Sequence, residues 1–131
     1  MAKIATSKPR VSNVVVYEDF LEFGHCRKDA TVTVVAGQKI GSLVYLSGGK
    51  YVTLTATAAG TPDNLTTLAV VVDPAIDTAS VGDNTLAVLF RGPAGISKGG
   101  LVYGTGSWDD TLRNAVYAAL ETLGIKVHVS V

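Results

Sequence analysis

The strongest periodicity in the chain lies close to its end. Leu112, Ala115, Val116, Ala119, Leu120 and Leu123 recur at i, i+3, i+4 and i+7, the spacing that gathers apolar side chains on one face of an α-helix. Ser107 is the predicted N-cap, with Asp109 and Asp110 in the first turn, where carboxylates complement the helix dipole. Gly124 supplies the left-handed stop. Immediately afterwards Ile125, Val127, Val129 and Val131 alternate with Lys126, His128 and Ser130, so the chain is expected to close on a half-buried strand.

Elsewhere the apolar pattern has the period of a strand. Val14 to Tyr17 predicts a short strand, and Phe20, Leu21 and Phe23 are expected to anchor the segment after it in the core. Thr31-Val32-Thr33-Val34-Val35 alternates, Ala36-Gly37-Gln38 interrupts, and Leu43-Val44-Tyr45-Leu46 resumes. Ser47-Gly48-Gly49-Lys50 reads as a hairpin turn, because paired glycines accept the positive φ of the primed turn types. The predicted return strand covers residues 51–57, with Val52, Leu54 and Ala56 on one side and Thr53, Thr55 and Thr57 on a solvated or partner-facing side. Residues 58–64 read as a loop. The apolar runs 68–72 and 85–90 read as buried strands separated by an Asp-, Gly- and Asn-rich turn at 77–84. A further turn is expected at 91–95, then a short segment from Ile96 broken by Lys98-Gly99-Gly100, then Leu101-Val102-Tyr103 leading to the helix. The fold class is therefore mainly β with one C-terminal α-helix, a compact β-rich α+β domain.

Composition narrows the function. A chain of 131 residues suits a single domain that buries roughly two-thirds of its unfolded surface. We divide it into a polar N-terminal arm, residues 1–13, and a domain, residues 14–131. Eleven basic and eleven acidic residues cancel, so no overall field recommends nucleic acid, a membrane or a charged substrate. Only 17% of residues are charged, which leaves much of the surface to uncharged groups and hints at burial against other subunits. A single cysteine, Cys26, excludes an internal disulfide, the N-terminal stretch lacks an apolar signal core, and no run is long enough for a membrane helix. A soluble cytoplasmic product is the expectation from residues alone.

Each candidate for chemistry meets a plainer explanation. Gly104-Thr105-Gly106-Ser107-Trp108-Asp109 stands where a dinucleotide fingerprint would, between strand and helix. Asp109 and Asp110 would repel a pyrophosphate there, and the βαβ alternation that makes the crevice is missing. His25 and Cys26 are adjacent, yet neighbours on an extended segment face opposite ways, and His128 is the only other histidine. Asp73, Asp77 and Asp83 lack calcium-loop spacing and suit turn formation, although they could pair with a basic arm on a neighbouring subunit. No Ser-His-Asp signature or P-loop is present. No catalytic, cofactor or metal residue is predicted.

Several segments together resemble the head decoration proteins of tailed bacteriophages, the lambda type. They are Leu68-Ala-Val-Val-Val-Asp73, Asn84-Thr-Leu-Ala-Val-Leu-Phe-Arg91-Gly-Pro-Ala, Leu101-Val-Tyr103, and Leu120-Glu-Thr-Leu-Gly124-Ile-Lys-Val. The section 31–57, with Ala36-Gly37-Gln38 and Gly48-Gly49-Lys50-Tyr51-Val52, is similar to that family's hairpin. The likeness covers roughly residues 30–131 and leaves 14–28 without a counterpart. It implies a non-enzymatic cement protein on the virion's capsid exterior, assembled in the host cytoplasm, that forms homotrimers and binds the major capsid protein at capsomer junctions. It also implies an arm that orders against the capsid, here through Lys3, Lys8, Pro9 and Arg10. No cofactor, nucleic acid or membrane enters that picture. The alternatives are another virion structural protein, of tail tube or connector, and a small ligand-binding β domain.

Overall fold

A computed structural model describes residues 15–18, 26–91 and 94–128 of the chain. The described residues form eight strands: β1 (Val15–Glu18), β2 (Arg27–Val34), β3 (Leu43–Ser47), β4 (Lys50–Thr53), β5 (Leu68–Val71), β6 (Gly82–Leu89), β7 (Ala94–Ser97) and β8 (Ile125–His128). One long helix, α2 (Asp110–Thr122), follows a single-turn helix, α1 (Ala56–Ala59), and short 3₁₀ turns cover Pro62–Thr67, Pro74–Asp77 and Lys98–Gly100. The fold is thus mainly β with one long C-terminal helix.

Five strands close into a barrel in the order β2-β4-β3-β5-β6, and β1-β7-β8 form a separate three-stranded sheet. The longest seam is β2 against β6, antiparallel from Arg27↔Leu89 to Val34↔Gly82. The β3–β4 hairpin turns on Gly48 (φ 60°) and Gly49 (φ 83°), the positive-φ pair of a two-residue primed turn. Strands β3–β5 and β5–β6 are also antiparallel. The last seam differs in kind: β2 and β4 run parallel and meet at one residue pair, Val32↔Tyr51.

All four residues of β5 are buried, and successive strand residues point to opposite faces, so β5 is covered on both. Helix α2 supplies cover from outside, with Val116 and Leu120 at 0% exposure and Leu112, Ala115, Ala119 and Leu123 packed against the core. Burying one such leucine is worth about 1.5–3 kcal/mol. The helix ends at Leu123, and Gly124, at φ 87°, turns the chain so that Ile125 enters β8 fully buried. Strand β8 lies parallel to β7, with Ala94↔Ile125 to Ser97↔His128 in register. The strand expected at Val14 to Tyr17 is β1, antiparallel to β7.

Several local expectations need correction. The N-cap of α2 is Asp109, whose Oδ1 accepts from the Leu112 amide at 2.8 Å, and not Ser107. The return strand stops at Thr53 instead of reaching residue 57, because the Thr55 hydroxyl caps α1 by accepting from Ala58 N. Within that strand Tyr51 is buried and Val52 only half so, while Leu54 and Ala56 beyond it are buried as the alternation predicts. Residues 58–64 are the end of α1 and a 3₁₀ turn, tied by Asn64 Nδ2 donating to Ala58 O at 3.0 Å. Ala94 and Gly95, expected in a turn, belong to β7. Phe20, Leu21, Phe23, Val129, Ser130 and Val131 lie outside the described residues.

Candidate functional site

Among the described residues the parallel β2–β4 seam creates a site-like feature. Beyond Val32↔Tyr51 the two strands part, and the chain leaving β2 turns through Ala36 and Gly37, where Gly37 takes φ 87°. Gln38 then reaches back into the gap. Its Oε1 accepts from the Val35 amide at 3.0 Å, and its Nε2 donates to Thr53 Oγ1 at 2.9 Å. One side-chain amide therefore stands where the next rung of a parallel ladder would be.

Beside this clasp runs a groove of about 430 Å³, with Val35, Leu43 and Val102 as apolar wall and Gln38, Ser42 and Thr53 supplying polar groups. Its far wall, residues 102–105, is pinned by backbone bonds. Leu43 N donates to Val102 O at 3.0 Å, Gly104 N to Leu54 O at 3.2 Å, and Ala56 N to Thr105 O at 2.9 Å. Glycine is required at 104, because a Cβ there would stand 2.5 Å from Leu54 O and 2.7 Å from Thr53 Cγ2. The glycines that suggested a dinucleotide loop thus serve close packing.

An aromatic corner adjoins the groove through Tyr103. The Tyr103 and Tyr117 hydroxyls are 2.6 Å apart, and the Tyr103 and Trp108 rings meet at 4.9 Å between centroids, tilted by 53°. Trp108 Nε1 donates to Gly104 O at 2.8 Å, which sets the course of the chain into α2. Arg113 lies 5.9 Å from the Tyr103 ring and Lys98 4.7 Å from that of Tyr117, within the range of cation–π attraction. Burial, and then the bond to Tyr117, push the Tyr103 hydroxyl well above the ordinary tyrosine range. It is a neutral hydrogen-bonding group at physiological pH.

The three aspartates serve separate local purposes. Asp73 caps the Pro74–Asp77 turn through Ala75 N at 3.0 Å and also accepts from Ala87 N at 3.1 Å, joining that turn to β6. Asp77 lies within the turn. Asp83 pairs with Lys50 and accepts from Thr33 Oγ1 at 2.8 Å, and the Lys50 bond, then the Thr33 bond, hold its carboxyl below the ordinary aspartate value. Among the described residues no group of three His, Cys, Asp or Glu side chains is arranged to hold a metal ion. Nor is any helix among them long and apolar enough to cross a membrane. Cys26 is 1% exposed and belongs to the hydrophobic core. Lys3, Lys8, Pro9, Arg10 and His25 lie outside the described residues.

Neither the groove nor the aromatic corner was anticipated from the sequence. A glutamine following Gly37 carries no pattern that announces a clasp, since its partners are Val35, just past the end of β2, and Thr53, at the end of β4. Tyr103, Trp108 and Tyr117 flank a glycine turn and a helix start, and that clustering of aromatics was the one available signal. Comparison of the chain with protein-family models, with curated proteins and with solved structures found no match.

Proposed function

We propose that this chain is a structural virion protein that decorates and stabilises an expanded phage capsid by binding the major capsid protein at capsomer junctions. The observation that supports this reading is where the residues of the likeness fall. Leu68 to Val72, Leu86, Val88, Leu89, Leu101, Leu120 and Ile125 are all core positions, and Gly48-Gly49 and Gly124 are turn positions of the same packed unit. Much of the likeness therefore concerns buried and turn positions that specify the fold, beside exposed residues such as Thr85, Arg91, Glu121 and Lys126.

The chemistry of the surface agrees with a binding role. Val81 is 71% exposed and Val35 42% exposed, and Val34↔Gly82 pairing brings these two valines to the same end of the barrel. Exposed aliphatic side chains beside a charge-poor groove favour contact with other protein surfaces. In the proposed assembly three copies meet through a closed, heterologous contact, and each spreads load across several capsid subunits. The arm, with Lys3, Lys8, Pro9 and Arg10, adds a contact to the major capsid protein.

Sedimentation with purified shells tests the proposal. The chain is expected to co-sediment with expanded shells and not with unexpanded ones, and a chain lacking residues 1–13 to bind expanded shells at least ~10-fold more weakly while remaining folded. Equal sedimentation with both shell forms, or with neither, would refute the function. Unchanged binding of the shortened chain would remove the arm alone.

A further inference from the structure

We infer that Tyr103 and Tyr117 form an oxidative crosslinking site, at which a one-electron oxidant joins the two rings by a carbon–carbon bond and staples α2 to the chain that leads into it. Their hydroxyl oxygens stand 2.6 Å apart although the residues are 14 positions apart in sequence. In phenol coupling the reactive ring carbon is the neighbour of the one that bears the hydroxyl, so a hydroxyl-to-hydroxyl contact brings the two reactive edges together. Among the described residues no other pair of tyrosine hydroxyls meets.

Both partners are held in place by their surroundings. Tyr117 rides on α2, which is fixed by the fully buried Val116 and Leu120. Tyr103 lies on a stretch whose backbone is bonded to Leu43 through Val102 O and to Leu54 O through Gly104 N. Both tyrosines are half-buried, so part of each meets solvent and a diffusing oxidant. Trp108, also half-buried, lies 4.9 Å from the Tyr103 ring between centroids, and an electron lost from its indole can be replaced from Tyr103. Lys98 sits 4.7 Å from the Tyr117 ring and Arg113 5.9 Å from that of Tyr103. These cations oppose a positive charge on either ring, so the proton leaves with the electron.

The reaction balances as follows. Each tyrosine gives one electron to the oxidant and one proton to water, and the two neutral phenoxyl radicals couple between carbons ortho to their hydroxyls. The hydrogen on each coupled carbon then moves to the adjacent oxygen, which restores both aromatic rings and both hydroxyls. Two equivalents of oxidant are reduced, two protons are released, and one carbon–carbon bond is gained. This inference stands apart from the capsid reading, because it concerns the isolated protein.

Photo-oxidation of the full chain at high dilution, with a ruthenium tris-bipyridyl sensitiser and persulfate as electron acceptor, tests it. Trypsin cuts after Lys98, Arg113 and Lys126, so the two tyrosines fall in separate peptides, 99–113 and 114–126. In the monomer band of a denaturing gel these peptides are expected to be joined, with the mass of their sum less two hydrogens. The joined species should exceed every other tyrosine–tyrosine product at least about tenfold, and should fall by a similar factor when the chain is oxidised in urea. Tyr117→Phe should abolish it and Tyr45→Phe leave it unchanged. Equal yields in folded and urea-unfolded protein would overturn the inference, as would a crosslink confined to the dimer band or one dominated by Tyr45. The stapled protein is expected to melt about 5–10 °C above its parent, because the closed loop restricts the unfolded chain; an unchanged Tm would show that the bond does not staple the helix.

Discussion

Replacing Gly104 with alanine adds one methyl group at a tight backbone crossing. The new Cβ would lie 2.5 Å from Leu54 O, 2.7 Å from Thr53 Cγ2 and 3.0 Å from Leu54 C, and two of those three atoms are backbone. Relief by backing away is opposed from both sides. Gly104 N donates to Leu54 O at 3.2 Å, and Gly104 O accepts from the Trp108 indole at 2.8 Å. Overpacking of this sort costs about 1–3 kcal/mol, and straining one hydrogen bond adds about 0.5–1.5 kcal/mol, so a loss of roughly 2–4 kcal/mol is expected. With an unfolding entropy near 2.1 cal/mol/K per residue, a domain of this length loses about 7–15 °C in Tm. Thermal unfolding followed by far-UV circular dichroism, with urea titration beside it, measures the change. Gly37→Ala is the control: Gly37 takes φ 87° but a Cβ there meets nothing within 4 Å. Its cost is the left-handed backbone alone, about 1–2 kcal/mol. A Gly104→Ala protein within about 2 °C of its parent, a change of ~0.5 kcal/mol, would refute the crossing as drawn. So would one more stable than Gly37→Ala.

Two further outcomes are expected. Gln38→Ala removes both bonds of the clasp and should cost about 0.5–1.5 kcal/mol per bond lost, read by urea unfolding, with faster amide exchange at Val35 by hydrogen-exchange mass spectrometry; unchanged exchange would show that the clasp does not hold the seam. The Asp83 carboxyl is held below its ordinary value of 3.8 in the folded state, so its contribution is present above that pH and is lost as pH falls through the depressed folded value. Tm of Asp83→Asn should accordingly lie slightly below the parent at neutral pH and low salt, then converge with it in acid below 3.8; a gap that widens on acidification would contradict the pairing with Lys50.

The elements that could be read in advance were those whose cause is local. Gly48 and Gly49 announce their turn because few other residues tolerate two successive positive φ values, and α2 shows its buried face because Val116 and Leu120 stand four apart. What escaped depended on distant partners. Ser107 is a good capping residue by type, yet the Trp108 indole must reach Gly104 O, and the helix then begins two residues later on Asp109. Residues 51–57 alternate like a strand, but Leu54 and Ala56 are held by Gly104 and Thr105, so the chain leaves the sheet and Thr55 becomes a cap. Barrel closure was equally hidden, since β2 pairs with β6 some fifty residues away and no short window records that register. The groove lies at the meeting of three such distant stretches, which is why nothing in the sequence marked it.

Four of the barrel's five joints are antiparallel ladders, and the fifth is a lone parallel rung assisted by one glutamine. Tension around the circumference would part the ring at that joint first, because each neighbouring joint must break more backbone bonds at once. The ring is therefore expected to open at one known point while its antiparallel joints still hold.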